Sequence, residues 1–279
     1  MNDQGTIELR PPTAPPHRHH AFTLALVGNP NAGKTTLFNA LTGLRAKTGN
    51  FPGTTVERKV GRLQLDHRQI AVVDLPGLYS LDSSSPDEKI ASDALQGRLT
   101  GHPAPDAALV VVDATNLERN LFLVSQVLEL DRPVIVALNM MDMARRDGIH
   151  IDVEKLRSEL GCAVIPVSAR GAEGVDLLRR EIARLVEGAM PEAVAHCKPN
   201  CGQCSGCPFQ ARYEWTESIS VKVMDAAAAR RSRRTERVDD VLTHPVWGTA
   251  AFLIVMISLF ALIFAVAKIP MELIDGLFS

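Results

Sequence analysis

The residues with the clearest chemical purpose are Gly28-Asn29-Pro30-Asn31-Ala32-Gly33-Lys34-Thr35. Their spacing is G-x-x-x-x-G-K-[ST], set between an apolar run and a helical pattern. Glycines let a backbone wrap closely around an anion, so that successive N–H groups and a helix N-terminus meet phosphate oxygens. Lys34 adds a point charge for the outer phosphates. The Thr35 hydroxyl suits a Mg²⁺ ligand, and Thr36 carries the turn into the helix. Asp74-Leu75-Pro76-Gly77 closes a second apolar run. There a carboxylate can reach Mg²⁺ through water and the Gly77 N–H can address a terminal phosphate. Alone, D-x-P-G is also an ordinary exit from a strand; behind a phosphate loop it gains meaning.

Two further stretches address a base. Asn139-Met140-Met141-Asp142 follows another apolar run, and a carboxylate there can accept both the N1–H and the 2-amino group of guanine. Adenine lacks that donor pair, and a site built for it rejects the wrong base. Asx residues after strands are also common helix caps. Ser168-Ala169-Arg170 supplies a loop whose backbone can meet the guanine O6. In this order the motifs predict a GTP/GDP-binding domain.

Between the first two motifs lies Thr48-Gly49-Asn50-Phe51-Pro52-Gly53-Thr54-Thr55-Val56-Glu57. A mobile loop here can lend a second hydroxyl to Mg²⁺ and release it after hydrolysis. Thr54 and Thr55 both qualify. Leu78 and Tyr79 stand where Ras-like proteins carry a water-orienting glutamine, so slow intrinsic hydrolysis is predicted.

The elements that must hold these residues are legible as alternation. Apolar runs at Ile70–Val73, Ala107–Val112, Val134–Leu138 and Val164–Val167 have the length of buried parallel strands. Amphipathic stretches Leu117–Leu130, Val153–Leu160 and Val175–Val186 lie between or after them. Such alternation predicts an α/β domain over 21–188, with a mostly parallel sheet, helices on both faces and the ligand at the carboxyl ends of the strands. A hydrophobic fraction of 46% and a charged fraction of 22% suit a globular chain, and the net charge of −2 argues against a nucleic-acid partner.

The flanks read differently. Residues 1–20, rich in Pro and His, lack the apolar run of a signal peptide and are expected to be a disordered leader. Residues 189–245 form a Cys-rich and helical linker, with Phe209 to Val241 expected to be helical. Cys197, Cys201, Cys204 and Cys207, spaced C-x₃-C-x₂-C-x₂-C, suit Zn²⁺ or an iron–sulfur cluster. Cys162 reads as a small core residue. Trp247 to Ala267 is about 21 residues without charge, enough for one transmembrane helix over 246–268. Arginines before it predict a cytoplasmic N-terminal side, and 269–279 would begin a membrane domain continuing past the sequence.

Several of these stretches together resemble FeoB, the bacterial ferrous iron transport protein B family. They are Gly28 to Thr36, Gly49 to Glu57, Asp74 to Leu81, Asn139 to Asp142, Ala211-Arg212-Tyr213 and Leu242 to Gly248. The resemblance implies a GTPase that serves Fe²⁺ transport at the bacterial inner membrane, with its GTPase domain in the cytoplasm. It implies that Gly53, Thr54 and Thr55 face the nucleotide, with Thr55 the Mg²⁺ threonine, and that Asn31 holds an activating K⁺. Asn31, Lys34, Thr55 and Gly77 are then the residues expected to act in hydrolysis. Expected partners are Fe²⁺ as cargo, the lipid bilayer, small FeoA-like accessory proteins and further copies of the chain. Two other classes share part of this pattern: a soluble GTPase of RNA or ribosome assembly, and a membrane-tethered metal or redox sensor.

Overall fold

The computed structural model describes residues 22–43, 46–51, 54–65, 68–82, 85–99, 103–130, 132–188, 208–224 and 247–278. Seven strands form one sheet: β1 (Thr23–Gly28), β2 (Ala46–Asn50), β3 (Glu57–Gln64), β4 (Gln69–Asp74), β5 (Ala107–Asp113), β6 (Val134–Asn139) and β7 (Ala163–Pro166). Their order is β2-β3-β4-β1-β5-β6-β7. From β4 through β1, β5 and β6 to β7 every pairing is parallel, whereas β2–β3 and β3–β4 are antiparallel. The sheet is therefore mixed and mostly parallel, as predicted.

Its strands are buried on both faces because each face carries helices. On one side α1 (Lys34–Thr42) and α6 (Val175–Val186) close a core that includes Leu26, Phe38, Leu109, Ile165 and Ile182. On the other, α2 (Pro86–Gln96), α3 (Leu117–Leu128) and α5 (Val153–Leu160) cover Val27, Val110, Leu121, Val136 and Leu156. The short α4 (Met141–Arg146) follows β6 directly. Local chemistry sets the helix limits. Ser85 caps α2 by accepting the Glu88 N–H at 3.2 Å, with Pro86 opening the helix and a left-handed Gly97 ending it. Asp152 caps α5 by accepting the Lys155 N–H at 3.0 Å.

Two elements lie outside this alternation. Helix α7 (Pro208–Val223) packs on the α3 side, and its Ile219 and Val223 join that core. Phe122 of α3 and Tyr213 sit with ring centroids 4.8 Å apart, Arg212 pairs with Glu129 at 2.6 Å, and Lys222 pairs with Glu159 of α5 at 3.0 Å. Of the stretch expected to be helical from Phe209, residues up to Val223 are helix and residues 225–241 lie outside the described residues. Helix α8 (Trp247–Phe278) spans the apolar stretch.

The expected transmembrane helix over 246–268 is corrected: among the described residues no helix is long and apolar enough to cross a membrane. The transmembrane assignment falls with it. Residues 1–20 lie outside the described residues.

Candidate functional site

The site lies at the carboxyl rim of β1, β4, β6 and β7. Strand β1 ends at Gly28, where a Cβ would stand 2.5 Å from the Val111 carbonyl oxygen of β5. That close approach admits only glycine. In the following loop Ala32 donates its N–H to the Asn29 carbonyl, and Asn31 (φ 66°) and Gly33 (φ 82°) are left-handed. Alternating handedness curls a backbone so that successive N–H groups line one concavity, suited to an anion. The Leu37 N–H then bonds to the Gly33 carbonyl at 3.0 Å and α1 begins at Lys34. Pro30, Asn31, Thr35 and Thr36 are exposed, Ala32 is buried, and both ends of the buried Asn29 amide find no hydrogen-bond partner among the described residues.

Lys34 reaches toward β4, where its Nζ lies 3.5 Å from Asp74 Oδ1. The two side chains are only 11% and 7% exposed, and Asp74 Oδ1 itself accepts no hydrogen bond. Burial raises the Asp74 carboxyl above the ordinary range, and the Lys34 ammonium offsets part of that rise. Lys34, Asp74, Leu75 and Pro76, with Val56, Glu57 and Lys59, line a cleft of about 250 Å³. Lys59 escapes a motif search because it belongs to β3, a strand paired to β4, and no spacing rule points at it, whereas Glu57 closes the loop stretch read from sequence.

The chain after Asp74 is fastened to the phosphate loop. Leu78 donates its N–H to the Gly28 carbonyl at 3.2 Å, and a Cβ on Gly77 would stand 2.9 Å from Pro30 Cγ. Leu78 is fully buried. Tyr79 is exposed, with the Arg119 guanidinium 4.5 Å above its ring centroid. Neither side chain can therefore stand in for a water-orienting glutamine.

The loop expected over Thr48–Glu57 is shorter in the structure, because Thr48–Asn50 belongs to β2 and Glu57 begins β3. Phe51, buried, donates its N–H to the Val56 carbonyl at 3.0 Å and closes the loop. The Thr54 hydroxyl donates to the Phe51 carbonyl and accepts the Val56 N–H. It is spent on the turn, whereas Thr55 is exposed. Gly53 lies outside the described residues.

On the base side, Asn139 is 2% exposed and both ends of its amide are committed. Its Nδ2 donates to the Ala32 carbonyl at 2.9 Å, and its Oδ1 accepts the Ala169 N–H at 3.0 Å. The absent side chain of Gly33 leaves room for that amide. Met140 is left-handed (φ 62°), and Met141 donates its N–H to the Val167 carbonyl. Ser168, buried, accepts the Asp142 N–H on its hydroxyl at 3.1 Å, which leaves the Asp142 side chain exposed, as is Arg170. Arg145 pairs with Glu173 across α4 and the loop after β7, and that partner holds the Glu173 carboxyl below its usual range. The structure thus gathers the four motifs along one rim. The tie that Asn139 makes between two of them was not legible in its sequence position.

Cys197, Cys201, Cys204 and Cys207 lie outside the described residues. Among those described, no group of three or more His, Cys, Asp or Glu side chains is placed to hold a metal ion, and the structure gives the metal-binding assignment no support. Burial pushes the Cys162 thiol up to about 12, leaving it a protonated core residue.

A mixed sheet in this order, with a phosphate loop between β1 and α1 and a buried carboxylate at the end of β4, is the fold of the P-loop GTPases. The family model for ferrous iron transport protein B matches residues 22–182. The chain belongs to that family, and the matched residues are its GTPase domain. Among its relatives, the Fe(2+) transporter FeoB of Escherichia coli K12 is 46% identical over 182 residues, which are 64% of this chain and 23% of that protein. The same figures hold for the Fe(2+) transporter of Salmonella typhimurium. The chain therefore spans about a quarter of the length of the curated relatives it matches. Among solved structures, the cytosolic domain of L. pneumophila FeoB is 36% identical with a TM-score of 0.60, covering 73% of this chain and 99% of that one. The cytosolic domain of T. maritima FeoB in its GMPPNP form is 30% identical with a TM-score of 0.63, covering 73% and 99%.

Proposed function

We propose that this domain binds GTP with Mg²⁺, hydrolyses it to GDP and phosphate, and serves by that cycle a protein that moves Fe²⁺. The observation that carries the reading is the buried Lys34–Asp74 pair beside the phosphate loop, with Asp74 Oδ1 accepting no hydrogen bond. A buried carboxylate oxygen whose only close partner among the described residues is the Lys34 ammonium at 3.5 Å keeps hydrogen-bonding capacity that a ligand can use.

The roles follow from placement. The backbone from Asn29 to Gly33 cradles the phosphates while Lys34 adds charge to the outer ones. Thr35, Asp74 and Thr55 are the residues that would hold Mg²⁺, Asp74 through water. That set uses hydroxyls and one carboxylate, the hard oxygen donors this ion prefers. When bound, Mg²⁺ would neutralise charge gathering on the phosphate oxygens. Asn31, exposed on the left-handed bend of the loop, would hold K⁺, whose charge would serve as an arginine finger does. In hydrolysis a water oxygen bonds to the γ-phosphorus, the bond to the bridging oxygen of GDP breaks, and the water proton leaves with phosphate or solvent. Leu78 is buried, so alignment of that water falls to backbone groups, Gly77 N–H foremost. Asp142, exposed and braced by Ser168, reads guanine; Ala169 and Arg170 complete that wall, with Met140 and Met141 fixing its turn.

Nucleotide affinity and turnover of the whole chain test this. Wild type should prefer GTP over ATP and XTP, and should turn over faster in KCl than in NaCl. Asp142→Asn should lower GTP affinity by about ten- to a hundredfold and relax discrimination against XTP. An unaltered preference for GTP in that variant would refute the assignment of the base site.

A further inference from the structure

Gln126 of α3 is 4% exposed, a full amide on a helix whose buried side chains are mostly apolar. Its Oε1 accepts the Leu81 N–H at 2.8 Å. Its Nε2 donates to Ser80 Oγ at 3.0 Å and to Asp82 Oδ2 at 3.1 Å. Three successive residues of the segment that begins at Gly77 thus converge on one side chain of a distant helix. The Leu81 carbonyl is gripped from the other side, where Ser92 Oγ of α2 donates to it at 2.8 Å, and Gln96 donates to Ser92 Oγ at 2.9 Å.

The near end of that segment is fixed equally firmly. Gly77 abuts Pro30, Leu78 N–H bonds to Gly28, and Tyr79 N–H bonds to Glu88 Oε1 at 3.3 Å. Stability alone does not require an amide at this point, since an apolar side chain would pack in the same core without hydrogen bonds to satisfy. What the amide adds is a fixed backbone position, because a buried network with three directed bonds tolerates few geometries. With Leu78 unable to orient water, the placement of the Gly77 N–H is the quantity this segment must control.

We infer that Gln126 is a positioning residue for hydrolysis: it clamps Ser80–Asp82 so that the backbone at Gly77 is held in register with the phosphate loop. The inference rests on the GTPase reading above and adds to it a residue that touches neither nucleotide nor metal.

The experiment uses the whole chain and measures kcat, KM and GDP affinity together. Gln126→Met keeps the volume and removes all three bonds; kcat should fall about ten- to a hundredfold with GDP affinity changed less than about twofold. Gln126→Glu keeps the acceptor for Leu81 but sets a carboxylate against Asp82, and should be equally impaired. Adding Asp82→Asn to it restores a donor to that pair and should recover most of the lost kcat, which general destabilisation would not do. Should Gln126→Met fail to fold, the Gln126→Glu and Asp82→Asn pair carries the test alone. Wild-type kcat in Gln126→Glu, or impairment that Asp82→Asn leaves unrelieved, overturns the inference. Absence of hydrolysis in the wild type would instead refute the GTPase reading beneath it.

Discussion

Asn139→Ala should cost this domain more than its small change in volume suggests. The side chain is buried and makes two hydrogen bonds, to the Ala32 carbonyl at 2.9 Å and from the Ala169 N–H at 3.0 Å. Truncation leaves both backbone groups without a partner in a site closed to water. Each stranded group costs about 1–3 kcal/mol, so the loss should fall near 2–6 kcal/mol. That is a large share of the ~5–15 kcal/mol that keeps a domain folded. Asn139→Asp separates the two bonds, since a carboxylate still accepts from Ala169 but repels the Ala32 carbonyl. It should be destabilising too, even though it preserves size. Urea denaturation without nucleotide is the assay, and the midpoint should fall at unchanged slope. GTP affinity should drop by about tenfold as well, because the ligand would then have to order two loops that the amide now holds. A loss below ~0.5 kcal/mol for Asn139→Ala, or wild-type behaviour of Asn139→Asp, would refute the reasoning.

Two further outcomes follow from charge placement. The Asp74 carboxyl is raised by burial above its unfolded value of 3.8, with Lys34 opposing the rise. The folded chain therefore takes up its proton first, so this group adds stability as pH falls through the folded pKa toward 3.8 and takes it away as pH rises. Mg²⁺-dependent nucleotide affinity should run the other way and fail on acidification before an exposed carboxylate would titrate; Asp74→Asn should abolish that pH dependence, and titration calorimetry across pH checks it. Arg212→Ala should cost about 1–2 kcal/mol, since the guanidinium is 14% exposed while its Glu129 partner is 35% exposed and partly screened. Hydrogen exchange should show lost protection in α7 alone, and unchanged α7 protection would show that the pair does not hold the helix.

Strands β4 to β7 were legible to within a residue or so because parallel strands covered on both faces must be apolar throughout. Strands β2 and β3 were not. Ala46–Asn50 is exposed along its length, and Glu57–Gln64 offers only Val60, Leu63 and Gly61 to the interior, so neither shows a buried run. Helix α2 was hidden by its composition, although Ser85-Pro86-Asp87-Glu88 is a helix-start signature in plain view. The phosphate loop, Asp74 and Asp142 were readable because nucleotide chemistry fixes both residue type and spacing. Gln126 and Lys59 were not, because they meet the site through tertiary packing, which leaves no local pattern. The apolar stretch after Trp247 shows the converse, a strong composition signal that no described helix meets as a membrane span.

The closure of the loop after β2 has a mechanical consequence. Phe51 is anchored in the core and its N–H is bonded to Val56, so only four residues span the gap between two fixed posts. At about 3.5 Å per residue a tether that short carries its tip no more than roughly 7 Å from its base. Thr55 therefore works on a short leash, and a longer excursion must first peel Phe51 out of its pocket or unzip β2 from β3. The free energy of that unzipping, rather than loop flexibility, would set how far the threonine can travel.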